Sequence, residues 1–463
     1  MKKNAFKQFF AVLLVLCMMT TVLGGCGKKE ASKGETPDSE KESTEATTDE
    51  ETAQKQPEPV ELTIWITSRL ANDYTDKAEK QFLEEHPWIT LNKVVKDGDP
   101  GNEFYQAVAA GNAPDYISAS FSMMDRFISA GIVEPLNAYT DKWDEFDSFT
   151  KEYVDLFTKD SNVYGIPYQV APMLFAYNKA LFKKAGIAEP PKTWDEAIAA
   201  AKLINDPANQ VTGYATLAAE WTEWFFQYYV WQAGGDLSTK NDDGTINLTF
   251  TDQAVIKAAK FYQQLRSDKV LQSDLTMKFG DLTTNFGLGK IGMMPFAGDW
   301  VSEAINNGIQ PEDIGLCLPP AGPSGKQSTA IGGSCYVINA KSSQEKKDAA
   351  WEYVKFLSSK EYISGYYENI ASMGAANPII IPRDDMSVAD FFEFPEEYRQ
   401  VLEDAKEVGR LEFYGKATFG SYVDRAVQKI LIDPNADPEV EFANAQKLAE
   451  DEALATFNAE NKK

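Results

Sequence analysis

Histidine is almost missing from this 463-residue chain, in which His86 stands alone. Away from that residue no Ser/His/Asp triad can be completed, and neither a multi-histidine metal site nor a helical zinc-protease motif can be assembled. His86 precedes Pro87 at the close of a helical pattern, which suits a helix C-terminal residue better than a base or a ligand. Cysteine is scarce as well, with Cys17, Cys26, Cys317 and Cys335 only. Basic residues number 45 against 70 acidic ones, and the net charge of −25 opposes binding to nucleic acid or to an anionic lipid surface. Long apolar runs reduce to one, Phe9 to Leu23, which is too short to cross a bilayer and leave a folded domain behind it. Preceded by Lys2, Lys3 and Lys7, it reads as a targeting segment.

Directly after that run, Leu23-Gly24-Gly25-Cys26 resembles the lipobox of bacterial lipoproteins, in which a small-residue pair precedes a cysteine that is lipidated and becomes the mature N-terminus. The resemblance implies a signal peptide over residues 1–25, an acylated Cys26 and a location on the outer face of the cell membrane. An ordinary secretory signal with an incidental cysteine is the plainer alternative. Gly27 to Val60 contains no aromatic residue and is too polar to repay the entropy of ordering, so residues 26–59 read as a solvated tether rather than an acidic regulatory tail. Cys17 leaves with the signal, and Cys317 and Cys335 either pair or remain two thiols.

The whole chain is 43% hydrophobic and 12% aromatic, enough for a sizeable core and two or three domains once the signal and tether are set aside. Leu62 to Ile66 alternates as a strand, Asn72 to Glu85 is helical, Ile89 to Val95 is a second strand, Phe104 to Ala110 a helix and Asp115 to Ser118 a short strand. This βαβα order predicts an open α/β sheet with ligand crevices at strand C-terminal ends. Thr193-Trp194-Asp195-Glu196 is a capping box for a helix running to Ile204, and Ser342 with Glu345 forms a second one. Asn241-Asp242-Asp243-Gly244 reads as a hairpin turn rather than a calcium loop.

Tyr164-Gly165-Ile166-Pro167-Tyr168, Leu174 to Lys179, Gly186 and Pro191-Lys192-Thr193-Trp194-Asp195-Glu196 follow one another in an order that resembles the family 1 extracellular solute-binding proteins, the capturing components of bacterial ABC importers. Ala109 to Asp115, Gly131 to Leu136, Gly289 to Met294 with Gly298-Asp299-Trp300, and Gly332-Gly333 with the helix around Ala349-Ala350-Trp351 extend the match over nearly all of the mature body. The resemblance implies two α/β lobes of the type II periplasmic-binding-protein fold, joined by a multi-crossing hinge and closing on a ligand. Residues 60–170 and 332–374 would form the N-terminal lobe and residues 171–331 and 375–463 the C-terminal lobe. The chain would cross near Val170 to Pro172, Ser328 to Ile331 and Ser372 to Ala375.

Sugar recognition needs flat apolar surfaces for pyranose faces and carboxylates or amides for hydroxyls, so tryptophan beside an acid is the informative combination. Asp299-Trp300 supplies one such pair, at the place where the family carries a ring-stacking tryptophan. Glu220-Trp221 and Glu223-Trp224 supply two more, either of which would reach the cleft. Phe225, Phe226, Tyr228, Tyr229 and Trp231 then continue as an aromatic helix expected to be mostly core. Asp125-Arg126 matches a hydroxyl-binding acid/base pair of the family's maltose-binding member, or is a solvated surface pair. Ser68, between Thr67 and Arg69, falls in a ligand-contact loop, and Tyr168 and Gly333 complete the expected ligand-binding set. Ala171 and Gly420 stand where the maltose-binding member has a cleft glutamate and a stacking tryptophan, with Tyr168, Gln169 and Tyr422 as substitutes.

The resulting expectation is a monomeric, non-enzymatic receptor with no cofactor, metal or catalytic residue. It holds a sugar or short oligosaccharide and delivers it to ABC permease subunits. A lipid-anchored glycoside hydrolase using two carboxylates, or a ligand-presenting sensor of the same fold, are the competing readings.

Overall fold

The computed structural model describes residues 58–67, 70–96, 99–373 and 377–462. Strands run in chain order as β1 (Val60–Thr67), β2 (Ile89–Lys96), β3 (Tyr116–Ser120), β4 (Thr158–Lys159), β5 (Asn162–Val163), β6 (Ile166–Asn178), β7 (Thr212–Tyr214), β8 (Ser238–Lys240), β9 (Ile246–Leu248), β10 (Ile291–Ala297), β11 (Ile314–Cys317), β12 (Thr329–Ile338) and β13 (Gly409–Arg410). Nine of them join one hydrogen-bonded path in the order β2-β1-β3-β12-β6-β10-β7, with β11 on β6 and β13 on β12, while β4-β5 and β8-β9 form two small hairpins.

The expected βαβα start is present. β1 pairs in parallel with β2 and β3, and Leu62, Ile64 and Ile66 on one face of β1 are fully buried while the helices between these strands cover the sheet. The helix Asp73–Glu85 opens on Asn72, whose Oδ1 accepts from Thr75 N at 2.9 Å, and stops at His86. As the sequence suggested, His86 caps the C-terminus: its Nδ1 lies 3.0 Å from the Phe82 carbonyl oxygen and its ring stacks on Phe82.

Of the two capping boxes, the first is used with a change of partner and the second is not formed. Thr193 Oγ1 accepts from Glu196 N at 3.2 Å and starts the helix Trp194–Ile204, but the Glu196 carboxylate accepts from Lys192 N rather than from Thr193. The expected Ser342 cap is corrected by one residue. The helix Gln344–Ser358 begins after Ser343, because the Ser342 hydroxyl donates to Asp115 Oδ1 at 2.6 Å. The Asn241 to Gly244 turn joins β8 to β9 with Gly244 at φ +84°. Cys317 and Cys335 are both free thiols.

Two strands carry the connection that matters for the site. β6 pairs antiparallel with β12 from Ile166 to Pro172, then exchanges that partner for β10 from Met173 to Tyr177 and for β11 from Phe175 to Asn178. β12 does the converse, pairing with β3 from Ser334 to Ile338 and with β13 at Thr329 and Ala330. Between those stretches Ile331, Gly332 and Gly333 lie against Pro172, Ala171 and Val170, and Ile380 bridges to Val170. A bulge at Tyr168, opposite the Ser334/Cys335 step, marks the end of the first stretch. The fold is a two-lobed α/β architecture whose sheet path runs through these crossings.

The helix Thr222–Gln232 fills the second half of the molecule. All but Trp224 of its 11 residues are buried, so it has no polar face and packs on every side. Its two glutamines are fully satisfied: Gln232 accepts from Trp194 Nε1 at 2.7 Å and donates to Ser328 O at 2.8 Å, and Gln227 accepts from Phe413 N at 2.9 Å. Gln227 ties the middle of that helix to the segment entering the helix Lys416–Ile432, and Gln232 ties its C-terminal end to Trp194 and Ser328.

Candidate functional site

The side chains that converge do so around Gly332-Gly333. A β-carbon on Gly332 would lie 2.8 Å from Trp224 Cζ2, and one on Gly333 would overlap the Phe121 ring and crowd the Gln169 carbonyl. Two aromatic rings, one from the helix Phe121–Ser129 that follows β3 and one from the helix Thr222–Gln232, therefore rest on a bare stretch of β12. Only glycine admits such close approach.

Beside Trp224 lies a cluster of charge. Glu223 N donates to Asp424 Oδ1 at 2.8 Å, Glu223 Oε1 is 3.4 Å from Lys416 Nζ, and Lys416 Nζ is 2.9 Å from Glu412 Oε1. The Glu223, Glu412 and Lys416 side chains are all more than four-fifths buried. Burial lifts the Asp424 carboxyl first and the Glu223 carboxylate beside it second, and the two together push its pKa up to about 8. Burial alone would lower Lys416, but Glu412, Glu223 and, more distantly, Asp99 outweigh it and hold the ammonium above the usual lysine value. Gly420 belongs to the same wall, since a β-carbon there would meet Glu223 Cγ at 3.0 Å.

On the other side, Gln169 Nε2 donates to Asp299 Oδ2 at 2.9 Å, linking β6 to the end of β10. Trp300 is 8% exposed and is held by Phe279, Phe296 and Phe225, with ring centroids 4.6, 5.4 and 6.2 Å away. Phe225 packs edge-on against Trp224, so an unbroken run of rings joins Trp300 to the diglycine.

Buried polar atoms without a partner mark where this wall is open to further bonding. They include Trp224 Nε1, Asp299 Oδ1, Glu412 Oε2 and Glu223 Oε2. The last is satisfied if Asp424 carries a proton and shares it, whereas the other three need a donor or acceptor from outside the protein.

The structure thus brings together Glu223, Trp224, Asp299, Trp300 and Gly333. Glu220 and Trp221 sit farther along the ring chain: Glu220 Oε1 accepts from Phe279 N at 2.8 Å, and Trp221, left-handed at φ +48° and 38% exposed, lies 5.9 Å from the Phe279 ring. Arg126 donates to Asn102 Oδ1 and covers the Tyr105 ring, while Asp125 is exposed on the same helix. Tyr168 stacks on Tyr336 at 4.2 Å and bonds Ser118, inside the first half of the sheet. Ser68, Arg69 and Cys26 lie outside the described residues.

Sequence reasoning missed Glu412, Lys416, Asp424 and Phe121. Asp424 carried a usable signal, standing four residues after Gly420 and hence on the same helix face.

Solved structures with this architecture are two-lobed solute receptors. The chain matches a solute-binding protein of an ABC transporter from Thermotoga lettingae bound with α-D-tagatose (TM-score 0.72, 21% identity, 84% of this chain and 99% of that one). It also matches a substrate-binding protein of Listeria monocytogenes in complex with cycloalternan (TM-score 0.73, 20% identity, 85% and 99%). At this identity the likeness carries the fold. Among sequence relatives, a putative binding protein of Brucella abortus is 30% identical over 317 residues, 67% of this chain and 74% of its own length. The sn-glycerol-3-phosphate-binding periplasmic protein of Agrobacterium fabrum is 28% identical over 64% of this chain and 70% of its own length. A family profile described as bacterial extracellular solute-binding protein covers residues 68–363. The chain belongs to that family, and its work is solute binding.

Proposed function

We propose that the protein captures a carbohydrate between its two lobes and delivers it to the permease of an ABC importer, without turning it over. One observation carries this reading: Trp224 Nε1, Asp299 Oδ1 and Glu412 Oε2 are buried and unspent beside a run of aromatic rings. Acceptor oxygens match sugar hydroxyls, an indole N–H matches a ring or hydroxyl oxygen, and the half-buried Trp224 ring matches a C–H surface. The sugars bound by the structural neighbours support the same class.

On this reading the lobes comprise residues 60–170 with 332–374 and 171–331 with 375–463, flexing where Val170 to Pro172 faces Ile331 to Gly333. The ligand closes them by packing against Phe121 of the first lobe while bonding Trp224, Asp299 and Glu412 of the second. Cys26, acylated, holds a monomeric receptor on the outer face of the membrane through the polar tether and raises its effective concentration at the permease.

A thermal-shift screen of mono- and oligosaccharides tests the reading, since a ligand bound only by the native state raises the melting temperature. A stabilising sugar whose affinity falls at least tenfold in Trp224→Ala supports it. A sugar bound equally by that variant removes Trp224 from the site, product formation makes the protein an enzyme, and no stabilising sugar overturns the carbohydrate assignment.

A further inference from the structure

The wall that offers those unspent atoms is strongly lopsided in charge. Glu223, Glu412 and Asp424 meet around a single ammonium, Lys416, which is already bonded to Glu412 and faces Glu223. Asp99 adds to the field on Lys416 from the loop before the helix Gly101–Ala110, and Asp299 lies across the diglycine, bonded only to the neutral amide of Gln169. Among the described residues no second cation is bonded within this group. The helices Thr222–Gln232 and Lys416–Ile432 both begin here, and each N-terminus contributes about half a positive charge. Even with Asp424 protonated, four carboxylates face about two positive equivalents.

Charge of that sign in a water-poor wall acts on whatever enters it. An anion placed beside Trp224 would meet carboxylate oxygens that can only accept hydrogen bonds, and the one ammonium able to offset it is committed. A neutral or ammonium-bearing ligand meets the same oxygens as donors. Specificity built on an unfavourable contact for the wrong ligand is a general device. Glu223 is nine-tenths buried in this wall.

We propose that the cleft selects by charge: it takes a neutral or amino-bearing sugar and rejects phosphorylated and uronic ones. The inference rests on the carbohydrate-binding reading and sets this chain apart from its relative named for sn-glycerol 3-phosphate.

The test is a thermal-shift and calorimetric panel on the purified protein. Its probes are maltose, ribitol, glucosamine, glucose 6-phosphate, galacturonate, sn-glycerol 3-phosphate and spermidine. Stabilisation by a neutral or amino sugar, with every anionic probe at least a hundredfold weaker, is the expected result. Binding of glucose 6-phosphate or galacturonate within tenfold of the best neutral sugar overturns charge selection and leaves the carbohydrate reading standing. Binding of spermidine alone does the reverse. A panel silent at millimolar concentration counts against both.

Glu412→Gln and Asp299→Asn provide the second arm. Each is expected to narrow the ratio of neutral to phosphorylated sugar affinity about tenfold, whereas a merely structural role would weaken both sugars alike and leave the ratio unchanged. An unchanged ratio in both variants overturns the proposal.

Discussion

Asp424→Asn isolates the buried carboxyl pair. In the folded protein, burial and the Glu223 carboxylate lift the Asp424 pKa to about 8, against about 3.9 for an unfolded aspartate. Between those two values the native state keeps a proton that the unfolded chain has released. The unfolded state binds fewer protons, so stability falls as pH rises through that window and levels off above the folded pKa. Each unit corresponds to about 1.4 kcal/mol, and from about pH 5 to about pH 8 the full effect would be about 4 kcal/mol. Because the proton belongs to the pair with Glu223, about half of that is assigned to Asp424 itself.

About 2 kcal/mol against a melting entropy of about 2.1 cal/mol/K per residue over roughly 400 residues shifts the melting temperature by about 2 to 3 °C. Asparagine keeps the oxygen that accepts from Glu223 N and cannot titrate. Scanning calorimetry of both proteins across the window cancels every other titrating group. The variant should gain about 2 to 3 °C on the parent between the acidic and the alkaline end. Melting curves that stay parallel with pH, or a variant that loses ground as pH rises, would refute the reasoning.

Lys416→Met leaves Glu223 and Glu412 buried without their cation and should cost about 3 to 5 kcal/mol in denaturant unfolding, with the loss easing at low pH as the acids protonate. Gly213→Ala drives a methyl into the Ala201 carbonyl, where β7 meets the helix Trp194–Ile204, and should cost about 3 kcal/mol with a lowered melting temperature. Thr193→Ala removes the cap of that helix and should cost about 1 kcal/mol by the same assay, while Thr193→Ser should restore most of it.

How much of this was legible in the chain depended on whether the signal was local. Helix ends marked by Asn72, Thr193 and Pro87 were read almost to the residue, because capping is settled within four positions. The Ser342 cap slipped because a distant carboxylate, Asp115, competes for its hydroxyl, and nothing near Ser342 announces that. The aromatic helix after Thr222 was rightly expected in the core. Which tryptophan pair would meet the diglycine was beyond periodicity, since Trp221 and Trp224 are one helical turn apart and the left-handed backbone at Trp221 decides where the helix begins. Lys416 was invisible as a site residue because its partner Glu223 is almost two hundred residues away in sequence, although Glu412 pairs with it from only four residues before.

The diglycine unites the site with the strand crossing. β12 exchanges its flanking partners around Ile331 to Gly333, and on the proposed boundaries that is where the two lobes would turn relative to each other. A side chain at either glycine would wedge between the crossing strand and the ring above it, whereas bare backbone lets Phe121 and Trp224 lie directly on the crossing. Phe121 is carried by the helix after β3 and Trp224 by the helix Thr222–Gln232, so on the proposed boundaries the two rings belong to different lobes. The proposed ligand, lying between these rings and bonded to Asp299 and Glu412 of the second lobe, would touch both lobes. Only a ligand whose contacts differ between the open and closed arrangements can shift that equilibrium, and on the proposed lobes one packed between Phe121 and Trp224 would meet that condition.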